Sequence, residues 1–161
     1  MKLSILICGT LMACGSDATP TQGQDAADAF VGKFSGMATR VVSCPTPGPP
    51  AAGSISFTFT KTTASELSAT AVIPASSVGD TTNCGPVTFT VNGSTATVKG
   101  MGACVATQTS MLLIHHTITG GTVTLAHGAA DVSIETTVVT DVVGGTSPIN
   151  CTGETTGVVT K

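Results

Sequence analysis

Tryptophan and tyrosine are absent from the 161-residue chain, and its only aromatics are five phenylalanines. Without those two residues there is no flat platform on which a sugar ring could stack, which speaks against glycosidase chemistry. Charge is scarce too: Asp, Glu, Lys and Arg make up 9% of the residues, and the six Lys+Arg are scattered singly in a chain of formal charge −3. No basic stripe is available to follow a phosphate backbone, so nucleic acid is not expected as a partner. The basic patch that would grip anionic lipid is missing as well. Low charge and a positive mean hydropathy are the reverse of the signature of disorder.

Helix signals are also lacking, since no convincing amphipathic helix appears after residue 28. What fills the chain instead is threonine, thirty of them, together with abundant valine. Both are β-branched and fit a pleated surface better than a helix. Nineteen Gly and eight Pro supply the turns. The length allows one domain with a modest core.

Period-2 alternation recurs along the domain. "SISFTFT" (54–60) puts Ile55, Phe57 and Phe59 on one face, and "VTFTV" (87–91) does the same with Val87, Phe89 and Val91. The second run ends at Asn92-Gly93, a strong hairpin signal. Further strands are expected at 34–42, 66–73, 116–119, 122–125, 131–139 and 154–160, with turns at Gly120-Gly121 and Gly144-Gly145. The expected fold is all-β: an antiparallel meander of eight to nine strands closed as an up-and-down barrel, with a two-sheet sandwich as the alternative.

The N-terminus has another character. Lys2 precedes an eleven-residue apolar run, "LSILICGTLMA" (3–13), and the small Ala13 stands just before Cys14. As a helix this run measures about 16 Å against a hydrocarbon core of about 30 Å, so it is laid out as a signal peptide and not as a span. Leu11-Met12-Ala13-Cys14 resembles the lipobox of bacterial lipoproteins, although Met12 departs from the usual residue before the small one. The resemblance covers the first fourteen residues. It implies diacylglycerol on the Cys14 thiol, cleavage before Cys14, acylation of the new amine and, with Gly15 following, export to the outer membrane. The expected layout is a signal peptide over 1–13, the lipidated Cys14 and a polar tether over 14–28, and one β domain over 29–161.

Six cysteines are present. Cys8 leaves with the signal peptide and Cys14 carries lipid, so Cys44, Cys84, Cys104 and Cys151 remain for two disulfides in an exported chain. No C-x-x-C spacing suggests a zinc or redox centre. Cys84 opens the strand before the Asn92-Gly93 turn and Cys104 closes the return, which favours pairing Cys84 with Cys104. Cys44 ends the first strand and Cys151 begins the last, so these meet if the sheet closes. "AFVGKFSG" (29–36) resembles the opening G-x-W segment of lipocalins, with Phe34 at the tryptophan position. The last strand, however, carries no arginine to stack over that ring. This likeness bears on architecture alone.

Chemistry-bearing residues are few. A hairpin at Gly120-Gly121 would make His116 and His127 diagonal neighbours, roughly 7–8 Å apart. They are weak candidates for metal ligands if Glu135 or Asp131 joined them. The bland alternative is a hydrogen-bonded pair near a barrel mouth. No G-x-S-x-G elbow exists, and Glu66, Asp131, Glu135, Asp141 and Glu154 are scattered and not paired. No enzyme activity and no cofactor are expected. The T-x-T repeats read as outward strand faces before they read as an ice-binding plane. Asn92-Gly-Ser and Asn150-Cys-Thr fit a glycosylation sequon that a bacterial lipoprotein leaves unmodified. Two functions follow as expectations. One is a binding module that holds an apolar small molecule or lipid against Phe57, Phe59, Phe89 and Leu125 inside the barrel. The other is a surface protein with a packed core and no ligand.

Overall fold

The computed structural model describes residues 25–75, 80–145 and 147–161. The lipobox with Cys14 lies outside the described residues. A short 3₁₀ turn, Ala26–Phe30, leads into ten strands: β1 Gly32–Ser43, β2 Ala51–Thr63, β3 Glu66–Pro74, β4 Thr81–Asn92, β5 Thr95–Val98, β6 Gly102–Ala103, β7 Thr107–Gln108, β8 Leu112–Ala126, β9 Ala129–Val142 and β10 Ile149–Thr160. Eight of them close a ring of antiparallel ladders in the order β1-β2-β3-β4-β5-β8-β9-β10, with β10 returning to β1. The two short strands β6 and β7 pair onto the upper part of β8. The alternation seen in the sequence is thus the wall of a barrel, whose closure removes the long unpaired edges that an open sheet would leave.

The expected hairpin at Gly120-Gly121 does not form. β8 runs straight through both glycines, and the β8–β9 ladder instead shifts register between Ile118 and Gly120. Gly121 has φ +129°, and a Cβ there would sit 2.2 Å from the Ser133 carbonyl oxygen. The glycines therefore serve a bulge and a close approach to β9. The chain reverses seven residues later, at His127 (φ 48°) and Gly128 (φ 83°), the two positive φ values that a type I′ turn requires.

Both ends of the barrel are organised. At the lower end the 3₁₀ turn plugs the opening with Ala27 and Phe30, both fully buried. Lys61 holds the turn in place through Asp25 at 2.5 Å and Asp28 at 2.8 Å. Residues 25–28, expected to belong to the tether, are therefore part of the fold. The other four phenylalanines gather above this plug, against Phe30. Phe59 is the hub, with ring centroids 6.1 Å from Phe30, 5.9 Å from Phe34, 5.6 Å from Phe57 and 5.3 Å from Phe89. Lys161, directly after β10, places Nζ 5.6 Å from the Phe34 ring centroid. The cation over that ring is thus Lys161.

At the upper end, disulfides join Cys44 to Cys151 and Cys84 to Cys104. The first ties the end of β1 to the start of β10. The second pins a strap, residues 102–105, across the seam where β5 stops short of β4's upper half. Backbone bonds from Cys104 N–H to the His116 carbonyl (3.0 Å) and from Val105 N–H to the Asn83 carbonyl (2.7 Å) complete the seam. Two disulfides fit an oxidising environment outside the cytoplasm.

Candidate functional site

Alternation along β1 turns Phe34, Ala38 and Arg40 inward, and the same parity brings His116 from β8, Thr136 from β9 and Thr155 from β10 into the upper interior. All four polar residues are buried, and Arg40 is only 1% exposed. Its Nη1 donates to the Pro74 carbonyl at 2.7 Å. Its Nη2 donates to His116 Nδ1 at 3.2 Å and to Thr136 Oγ1 at 2.9 Å, and the Thr136 hydroxyl donates in turn to the Gly153 carbonyl at 3.2 Å. Gly153 makes room for this arrangement: a Cβ there would lie 2.8 Å from Arg40 Nη2.

The guanidinium has donors only, so His116 Nδ1 must accept, and the neutral ring then carries its proton on Nε2. Among the described residues, Arg40 Nε, His116 Nε2 and Thr155 Oγ1 have no hydrogen-bond partner. No described carboxylate forms an ion pair with Arg40. Burial lowers the Arg40 pKa to about 10, which leaves it charged at neutral pH. Burial first, then the charges of Arg40 and His115, push His116 down to about 4.

That shift has a sign in stability. Between pH 6.5 and about 4 the unfolded chain takes up a proton at residue 116 that the folded barrel refuses. The contribution of His116 to stability is complete above its unfolded value and is lost as the pH falls toward 4, by about 3 kcal/mol. Denaturant titrations of the wild type and His116→Asn at pH 7 and pH 4 check this. The wild type should lose the larger share of its stability, and equal losses would contradict the buried neutral imidazole.

The residues singled out in the sequence are dispersed. Phe57, Phe59 and Phe89 lie in the ring cluster, where Phe57 stacks on Phe59 and Phe89 meets both edge-on, and Leu125 packs half-buried against it. His116 and His127 are not neighbours, because the Gly-Gly step does not reverse the chain. His116 lies near the start of β8 and His127 just past its end, eleven residues and on the order of 35 Å apart at about 3.3 Å per residue. Asp131 and Glu135 face outward, as does His115, whose Nε2 is 3.7 Å from Asp141 Oδ2. Among the described residues no group of three His, Cys, Asp or Glu is placed to hold a metal ion. Two clefts, of about 530 and 490 Å³, open on the outer wall. One lies beside the 103–105 strap and the other beside the Cys44–Cys151 disulfide.

Arg40 and Thr155 went unmarked in the sequence. The signal was there: counting in twos from Phe34 reaches Arg40 on the inward face.

Fold and site together define a closed, disulfide-braced β-barrel with an aromatic floor and a cationic upper interior. Comparisons with protein-family models, with curated proteins and with solved structures give no match.

Proposed function

We propose that the protein is an exported lipoprotein, anchored through Cys14 to the bacterial outer membrane, and that its barrel is a non-catalytic binding module. The observation that supports binding is the division of the interior. Below, phenylalanines saturate one another. Above, a charged guanidinium whose Nε is unpartnered, and two more unpartnered polar atoms, sit in a wall of small residues that includes Ala38, Ala51, Gly53 and Gly153. A core evolved only for packing has no use for such groups, because each unpartnered buried polar atom costs about 1–3 kcal/mol. The ligand therefore sits above the phenylalanine floor, not among the rings.

The two halves of the proposal are tested separately. Replacing Cys14 with Ser should move the protein from the membrane fraction to the soluble one, and unchanged partitioning would refute the anchor. Native mass spectrometry of protein taken from its own membranes should show one small molecule per chain, released on collisional activation. The bare polypeptide mass would count against binding. It would favour the reading as a surface interaction protein, which the exposed Val105, Met111, Val143 and Ile149 near the upper end support.

A further inference from the structure

Arg40 is the only arginine in the chain, and the barrel buries it without an acid beside it. Desolvating a cation costs several kcal/mol unless an opposite charge compensates it. The described acids offer no such charge. Asp131, Glu135, Asp141 and Glu154 lie on the outward face of β9 and β10, Asp25, Asp28 and Glu66 sit at the floor end, and Asp80 is exposed in the β3–β4 connection. The neutral His116 cannot supply it either.

The unsatisfied atoms also have a chemical sense. Arg40 Nε and His116 Nε2 are both N–H donors, and the Thr155 hydroxyl can donate as well. Thr155 stands directly opposite Arg40 across the β1–β10 ladder, and His116 is bonded to the same guanidinium. This cluster is rich in donors and carries a single positive charge. A partner that only accepts and brings one negative charge complements it. Water would satisfy hydrogen bonds but leave the charge, and a dianion would bury an excess of the opposite sign.

We propose that Arg40, His116 and Thr155 form a buried site for a carboxylate, the acidic head of the molecule that the barrel holds. The inference rests on the binding reading above and names its ligand class. The wall nearest the site is the seam beside His116. There β5 is four residues long, β6 and β7 two each, and the 102–105 strap is the wall. A carboxylate in the site displaces no existing acid and gives the guanidinium a charge-assisted partner.

One arginine means one Arg Nε–H signal, so ¹⁵N NMR of the lipidated protein in neutral detergent reads the site directly. Titration with acetate (head alone), hexanoate (head and tail) and 1-hexanol (tail alone) is compared with chloride and phosphate. The proposal expects the Arg40 Nε–H peak to move saturably with both carboxylates and not with hexanol. Tighter binding of hexanoate than of acetate would identify a lipid-like acid, and equal binding a small free carboxylate. Equal movement with chloride or phosphate would reduce the site to an adventitious ion and overturn the proposal. If hexanol shifts other signals and no acid moves the arginine, the barrel binds but the carboxylate assignment falls. If no signal responds to any probe, both readings fall. Thr155→Val removes a hydroxyl that has no partner, so the fold should keep its melting temperature while carboxylate binding weakens about tenfold. Unchanged binding in that variant would remove Thr155 from the site.

Discussion

Replacing Phe59 with alanine should lower the unfolding free energy by about 3–5 kcal/mol, a large share of the 5–15 kcal/mol typical of a domain. The reason lies in composition as much as in contact. The chain has five phenylalanines and no other aromatic, and four of the five touch Phe59. Each ring pair adds about 0.5–1.5 kcal/mol beyond the area it buries, and no tryptophan or tyrosine nearby can fill the void. The 3₁₀ plug also rests on this ring through Phe30, so the floor end should loosen with it. Urea titrations of Phe59→Ala and Phe59→Leu check the prediction. Leucine should restore much of the loss, whereas a drop below about 1 kcal/mol for alanine would show that the floor is not the core.

The second large effect is expected at the upper end. Cys44 and Cys151 are 107 residues apart and Cys84 and Cys104 are 20 apart. In the chain-entropy model these loops correspond to about 5 and about 3 kcal/mol. The longer one also fastens β1 to β10, the first and last wall strands, whose ladder runs as far as Ser43 opposite Thr152. Changing Cys44 and Cys151 together to alanine should therefore destabilise more than changing Cys84 and Cys104 together. Denaturant midpoints of the two double variants measure the order, and the reverse order would contradict the role given to closure.

Much of this architecture was legible in the residues themselves. "SISFTFT" and "VTFTV" declare their inward faces because β structure alternates strictly, and the Cys44–Cys151 pair follows once the first and last strands are neighbours. Other features were hidden for physical reasons. Gly120-Gly121 carries the same chemical signal for a turn as for a bulge. Only the closeness of Ser133 on the neighbouring strand decides between them, and that is a tertiary fact. The real turn, at His127-Gly128, places a non-glycine residue at positive φ, which makes it a weaker local signal. The early start of the fold was masked because Asp25 and Asp28 look like tether residues until Lys61, far along the chain, comes to meet them.

Arg40 is the instructive case. Its charge assigns it to the surface on any hydropathy scale, while its parity with Phe34 and Ala38 assigns it to the interior. Parity prevails because, in a closed barrel, a one-residue slip of β1 would turn Phe34 and Ala38 outward along with the correction. His116 follows the same rule from Ile118. Where register forces a charge inside, the sequence-level conflict marks the place to look for function.

The most direct measurement is a crystal structure of the protein purified from its own membranes, at a resolution that shows ordered water. The expected result is continuous density against Arg40 Nε, with two acceptor oxygens among Arg40, His116 and Thr155 and a body extending over the phenylalanine floor. Density for water alone on those three atoms, or side chains packed against them with no guest, would contradict the account of this barrel as a binding module.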